Sequence, residues 1–113
     1  YDATQNLFFV NFDNLEIRRI EQIEDIRRLI GEKLGKLDHK VCAIINYDNF
    51  SISPELLDAY VEMVRDVVTR YYSRVTRYTT SAFTRAQIGD ALSARQMSPH
   101  IFDNQGDALA NLR

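Results

Sequence analysis

The chain has 113 residues, of which 45% are hydrophobic and 27% are charged, a composition typical of one soluble globular domain. Its 14 basic and 16 acidic residues give a formal net charge of -2, which argues against a nucleic-acid binder that relies on bulk positive charge. No apolar run approaches the roughly 20 residues needed to cross a bilayer, and the first residues lack the features of a signal peptide.

The first half of the chain predicts a strand, a helix and a second strand. Residues 7–12 form an apolar and aromatic run before a turn signal, which favours a strand. After an extended segment at 15–17, isoleucines and leucines recur every three or four residues and predict an amphipathic helix that ends near Gly35. The continuous apolar run at 41–45 is typical of a strand covered on both faces, so we expect it at the centre of a parallel sheet.

A long helix and a third strand are predicted next. Ser53 followed by Pro54 indicates a helix start, because the serine hydroxyl can accept a backbone N–H and proline needs no donor at the first helical position. The apolar stripe that follows runs to about Tyr72, and residues 75–79 are predicted to form a strand.

The last third of the chain predicts two helices and a short strand. Thr80 or Ser81 is expected to cap a helix that ends near Arg95. A brief strand is predicted at 100–102, and a terminal helix at 107–112.

This alternation of strands and helices indicates the α/β class, with an open mixed or parallel sheet of about four to five strands and about four helices. We expect residues 1–113 to form a single domain. The chain begins with Tyr1 rather than methionine, from which we expect a domain excised from a larger protein. The one cysteine, Cys42, is compatible with a reducing, cytoplasmic compartment.

Ligands of open α/β sheets collect at the carboxyl ends of the strands, and two loops are predicted to lie there. The first carries Asn46, Asp48, Asn49, Ser51 and Ser53. Ser51 or Ser53 is a candidate phosphorylation switch. The favoured alternative is that Ser53 caps the following helix, and that the aspartate or asparagine side chains satisfy the backbone of a turn.

The second loop is a candidate anion site, because hydroxyl groups and a helix start lie between two guanidinium groups. Its residues are Arg77, Thr79, Thr80, Ser81 and Arg85. From 65 to 85 the chain carries five arginines and one acid, a local charge of +4. A ligand with a phosphate group or an acidic partner surface would suit this stretch, and a solvated basic face is the alternative.

Catalytic and metal-binding patterns are weak. His39 and His100 have no partner at metal-ligand spacing, and Cys42 lies in an apolar strand where a thiol acts as a small hydrophobic group. We therefore expect neither catalysis nor a cofactor.

The sequence resembles a STAS domain, the fold found in sulfate transporters and anti-sigma-factor antagonists. Residues 8–16 resemble its first strands and turn, 41–46 its central strand, and 51–56 the loop that carries its phosphorylatable serine. The family's usual Asp-Ser-Ser-Gly is absent, and Pro54 replaces a small flexible residue.

A second resemblance covers nearly the whole chain. Residues 46–50, 77–83 and 99–102 are similar to stretches of the C-terminal appendage of some bacterial acyl-CoA:acetate or 3-ketoacid CoA-transferases. In those proteins the catalytic glutamate belongs to upstream domains, so the resemblance implies an accessory domain.

Together these observations predict a non-catalytic STAS-like interaction or regulatory domain of a larger cytoplasmic protein, bound to neither nucleic acid nor membrane. The alternatives are a free-standing phosphoswitch that resembles an anti-sigma-factor antagonist, and a module that binds CoA, a nucleotide or another ligand with a phosphate group.

Overall fold

The computed structural model describes residues 1–112 as an α/β fold with four α-helices and five strands, and all strand pairs are parallel. In chain order the elements are β1 (Leu7–Asn11), β2 (Glu16–Ile17), α1 (Ile20–Leu34), β3 (Val41–Asn46), β4 (Ser51–Ile52), a 3-10 turn (Pro54–Leu56), α2 (Leu57–Tyr71), β5 (Tyr72–Tyr78), α3 (Ala82–Ala94) and α4 (Gln105–Asn111).

The strands form two sheets rather than the expected single one. The main sheet has the order β1-β3-β5, which confirms the central position of β3, and β2 pairs only with β4. Two asparagine turns explain the split, because Asn14 and Asn49 adopt positive φ angles of 64° and 56° three residues beyond the ends of β1 and β3. Both strands therefore bend at the same level, and the short segments beyond the bends pair with each other.

The predicted strand at 100–102 is wrong. Only Phe102 bridges to β5, where its N–H donates to the Arg77 carbonyl at 2.8 Å and its carbonyl accepts the Thr79 N–H at 2.9 Å. His100 and Ile101 form no backbone hydrogen bond with β5 among residues 1–112, so the pairing at this edge is limited to one residue.

The predicted capping of the long helix by Ser53 is also wrong. The Ser53 side chain makes no capping hydrogen bond, and the turn is closed instead by the Leu56 N–H and the Ser53 carbonyl at 2.9 Å. In this 3-10 turn the Leu56 N–H, which a capping hydroxyl would accept, is already bound by the Ser53 carbonyl. The α-helix begins only at Leu57 and ends at Tyr71, and β5 starts at the next residue without a loop.

The starts of α3 and α4 follow side-chain capping signals in the sequence. Ser81 caps α3 by accepting the Thr84 N–H at 3.1 Å, as expected. α4 begins at Gln105, two residues earlier than predicted, because Asn104 caps it by accepting the Asp107 N–H at 2.8 Å.

The two faces of the main sheet are covered unequally. Helices α1, α2 and α3 cover one face over a large apolar core that includes Val41, Ala43 and Ile45. On the other face α4 alone contributes a small cluster, in which Ala108 contacts Leu7 and Ile44. Among residues 1–112, no helix is long and apolar enough to span a membrane.

Candidate functional site

The two loops that the sequence singled out lie side by side at the carboxyl ends of β3 and β5. The Tyr47 N–H donates to the Tyr78 carbonyl at 2.9 Å, which joins the loops directly. Asp48 Oδ1 accepts hydrogen bonds from the Thr80 N–H at 2.7 Å, from Thr80 Oγ1 at 3.1 Å and from Thr79 Oγ1 at 3.2 Å. The carboxylate of Asp48 therefore already binds the donors of Thr79 and Thr80 that we predicted to bind an anion.

The turn after β3 has the predicted local chemistry. Asn46 Oδ1 accepts the Asp48 N–H at 2.8 Å, and Asn49 has a positive φ of 56°. The Phe50 N–H closes the turn on the Tyr47 carbonyl at 3.1 Å. A turn is present here as expected, but Asn46 is the residue whose side chain binds its backbone, whereas Asp48 binds Thr80 of the neighbouring loop and Asn49 donates to Asp13.

The two candidate switch serines lie next to different partners. Ser51 is half-buried on β4, where its hydroxyl accepts a hydrogen bond from Arg18 Nη2 at 3.0 Å. Ser53 is half-buried at the start of the 3-10 turn. A phosphate on Ser51 would lie beside the guanidinium of Arg18, and a switch at either serine stays a prediction.

Most arginines of the basic stretch donate to main-chain carbonyl groups. Arg74 binds the carbonyls of Asn111 and Leu112 at 2.6 and 2.9 Å, at the end of α4. Arg85 Nη1 donates to the Thr79 carbonyl at 2.7 Å, and Arg65 to the carbonyl of residue 95. Arg70 instead pairs with Asp66 at 2.8 Å. Carbonyl groups fix a guanidinium without neutralising it, so most of the local positive charge is retained.

Arg77 is separated from the loop with which the sequence grouped it. Its side chain is only 4% exposed, and Nη1 donates to the Ser98 carbonyl at 3.5 Å. Arg77 Nε is buried without a hydrogen-bond partner among residues 1–112. Within the same residues, neither Arg77 nor Arg74 forms an ion pair.

Arg77 lines a cavity of about 340 Å³ beside β5. The lining includes Ser73, Arg74, Gln96 and Ser98, and it contains no acidic side chain. Ser73 is the extra residue where the register of β5 on β3 shifts. Such bulges commonly re-aim side chains next to binding sites, and here the bulge lies in the cavity wall.

The opposite wall of this cavity is the end of α3. The Met97 N–H donates to the Leu92 carbonyl and the Gln96 N–H to the Ser93 carbonyl, each at 3.0 Å, which is a Schellman motif. Its left-handed position is usually glycine, but here it is Gln96 with φ 60°. Sequence reasoning did not predict this left-handed residue, because the usual signal is a glycine or asparagine at the helix end and neither is present here.

The outer edge of β1 is open beyond its first residue. Parallel pairing turns the backbone groups of alternate residues toward β3, as in the bonds from Cys42 N–H to the Asn6 carbonyl and from Phe12 N–H to the Asn46 carbonyl, both 3.0 Å. The backbone of Phe9 therefore points outward. Leu7 also points outward, but it is paired with Asp2.

Exposed apolar side chains flank this edge. Phe9 is 49% exposed, and Leu29 on α1 is 46% exposed. Both line a groove of about 240 Å³ between β1 and α1. Sequence reasoning missed this surface, although the consecutive Phe8 and Phe9 carried a signal, since neighbouring strand residues point to opposite faces.

A pair of buried tyrosines joins α2, which carries Tyr60, to the turn after β3, which carries Tyr47. The hydroxyls of Tyr47 and Tyr60 are 2.7 Å apart, and both side chains are at most 1% exposed. Burial raises the pKa of Tyr60 well above its ordinary value, and the neighbouring Tyr47 adds to this shift. Burial likewise raises the pKa of Tyr72 strongly, and the charge of Arg77 offsets only part of the change.

The histidines lie in different settings. His39 contacts Asp38 at 2.8 Å and Asn6 at 3.1 Å, whereas His100 packs edge-on against Phe102. No group of three or more potential metal ligands occurs among residues 1–112. Cys42 is half-buried, with its Sγ 3.8 Å from Ser73 Oγ.

Comparisons of the chain with protein-family models, curated proteins and solved structures found no match.

Proposed function

We propose that this chain is a non-catalytic, STAS-like interaction domain of a larger cytoplasmic protein, and that it docks onto its partner or parent through the edge of β1. The parent class suggested by the sequence resemblance is a bacterial CoA-transferase. The observation that carries the proposal is the open edge of β1 with Phe9 exposed beside it.

Two physical features support docking at this edge. An unpaired strand edge offers backbone donors and acceptors to an incoming extended segment, which adds a strand to the sheet. Phe9 and Leu29 present apolar surface on opposite faces of this edge, and burial of such side chains drives association. A partner that supplies one extended segment with apolar side chains fits both features.

The first experiment determines the natural context of the domain. Intact mass spectrometry of the natural product is expected to give a polypeptide well above the 13.1 kDa of this chain. A natural product of about that mass would overturn the proposal of an appended domain.

The second experiment measures docking directly. Hydrogen exchange of the Phe9 amide is compared between the isolated chain and the natural protein. The amide is expected to exchange at least about tenfold more slowly in the natural protein, because an added strand would hydrogen-bond the edge. Equal exchange rates would contradict docking at β1.

A charge at the edge tests the same surface. Phe9→Asp is expected to restore fast exchange of the β1 edge in the natural protein while leaving the thermal unfolding of the isolated chain nearly unchanged. Phe83→Asp is the matched control, because Phe83 is 74% exposed but lies on α3, and it is expected to change neither measurement. A loss of protection with both variants would mean that the effect is not specific to the β1 edge.

A further inference from the structure

We propose that the cavity beside β5 is a binding site for a small organic anion, a carboxylate or phosphate monoester with a short apolar body, and that Arg77 binds its charged group. This site is distinct from the loop at 79–81 and from the β1 edge.

The first argument is the unmatched charge of Arg77. A guanidinium cannot lose its proton in a protein, so the positive charge stays in this 4% exposed position. Its recorded hydrogen bond within residues 1–112 is the long contact with Ser98, and Nε has no partner there. A buried charged donor without a partner is costly, and binding an anion would remove that cost.

The second argument is that Arg77 lines the cavity with donors to spare. Its Nη1 is directed to the Ser98 carbonyl, and a guanidinium carries five N–H donors, so donors on the Nη atoms remain for an anion in the cavity. Arg74 adds a second positive charge at the cavity wall and is held there by carbonyls of residues 111 and 112.

The third argument is the composition of the cavity. Ser73, Gln96 and Ser98 supply neutral hydrogen-bonding groups, and no carboxylate competes for the arginines. Val68 and Met97 supply apolar surface in the same cavity, which fits a ligand with a short hydrocarbon portion. The volume of about 340 Å³ excludes a large ligand such as a whole nucleotide cofactor from being enclosed there.

Binding is tested by isothermal titration of the full chain with sodium butyrate and, separately, with inorganic phosphate, against sodium chloride at equal ionic strength. Saturable binding of either anion at a single site is expected, and the two arms decide between a carboxylate and a phosphate group. Absence of saturable binding by both anions would overturn the proposal.

Variants locate the site. Arg77→Met is expected to weaken binding by at least about tenfold, since charged hydrogen bonds are lost. Arg74→Gln is expected to weaken it by at most about fivefold, because Arg74 is exposed. Arg85→Met and Arg70→Met remove the same charge outside the cavity and are expected to leave the affinity within about twofold. Unchanged binding by Arg77→Met, or equal losses in all four variants, would contradict the proposal.

A folding defect in Arg77→Met would also weaken binding, so Arg77 is also followed by NMR in the unmodified protein. The Nε–H signal of Arg77, assigned with the milder Arg77→Lys, is followed by nitrogen-15 NMR during the same titrations. A ligand held by this group must shift that signal along the same binding curve. A titration that leaves the Arg77 signal in place while other signals move would place the ligand elsewhere.

Discussion

At the scale of single residues, the hydroxyl pair of Tyr47 and Tyr60 is the clearest example of a polar contact that fixes a buried core. Both side chains are at most 1% exposed, and the 2.7 Å bond between their hydroxyls gives each a hydrogen-bond partner. Loss of one partner leaves the other unpaired in an apolar setting, which costs more than the bond itself contributes.

We therefore expect Tyr47→Phe and Tyr60→Phe each to lower the free energy of unfolding by about 1–3 kcal/mol. The double variant is expected to cost less than the sum of the two, because it leaves no unpaired hydroxyl. Urea denaturation of all four proteins measures the coupling. Strictly additive losses would contradict the assigned contact.

The raised pKa values of Tyr60 and Tyr72 predict a loss of stability in alkali. Both phenols keep their protons in the folded state at pH values where an unfolded chain ionises, which begins near about pH 10. Their contribution is complete below that pH and is lost above it, by about 1.4 kcal/mol per tyrosine and pH unit. Urea denaturation at pH 9, 10 and 11 is expected to show the decline, and Tyr72→Phe to make it shallower. A constant free energy of unfolding would refute this.

At the scale of elements, Gln96 marks a strained helix end. Its φ of 60° places a side chain in the left-handed region at the end of α3. Gln96→Gly is expected to raise the free energy of unfolding by about 1 kcal/mol, because glycine adopts this conformation without strain. Gln96→Ala keeps the strain and is the control, with no gain expected. Thermal denaturation of the three proteins distinguishes the two outcomes.

The same glutamine lines the proposed anion cavity, so stability and binding are expected to change in opposite directions. Gln96→Gly removes a side-chain amide from the cavity wall while it relaxes the backbone. A gain of stability at the cost of binding is common where a site is built on strained residues.

Periodicity was sufficient to predict the main elements. The repeat of isoleucines and leucines identified α1, and the apolar run of β3 identified the central strand. The starts of α2 and β5 were not predictable in the same way. Proline at the first position produced a 3-10 turn, and tertiary contacts rather than a turn signal set the point where Tyr72 enters the sheet.

At the scale of the whole molecule, the second face of the sheet is covered by one short helix, α4, within residues 1–112. Ala108 is fully buried against Leu7 and Ile44. Ala108→Asp is expected to lower the free energy of unfolding by about 2–4 kcal/mol, because it buries a carboxylate in an apolar cluster. Faster amide exchange over Gln105–Asn111 and higher binding of a hydrophobic dye would report the detached helix.

Ala110→Asp is the matched control for that prediction. Ala110 lies on the same helix but is exposed, so its replacement is expected to leave both the exchange and the dye signal unchanged. Equal effects of the two variants would mean that the charge acts on helix formation and not on docking.

The sequence predicted where the strand-end loops lie but not which groups their side chains bind. The adjacency of Asp48 and Thr80 depends on β3 and β5 being neighbours, which a pattern of local periodicity does not specify. The sequence showed that this stretch is rich in arginine. Whether each guanidinium binds a carbonyl, binds a carboxylate or lines a cavity depends on contacts between residues that are distant in the sequence. Arg77 looked equivalent to Arg85 in the sequence, but it differs from Arg85 in its burial and in its hydrogen-bond partner.

The direct passage from α2 into β5 makes this part of the molecule a rigid joint. One extra residue between Tyr71 and Tyr72 has no loop in which to be absorbed. It would either rotate the helix by about 100° relative to the strand or exchange the two sides of β5. In the second case, Thr76 would take the position of Arg77 beneath the helices. The direct junction between α2 and β5 thus determines which residues of β5 face the helices. An insertion at this point that leaves the helix in place would move the guanidinium of Arg77 to the other face of the sheet.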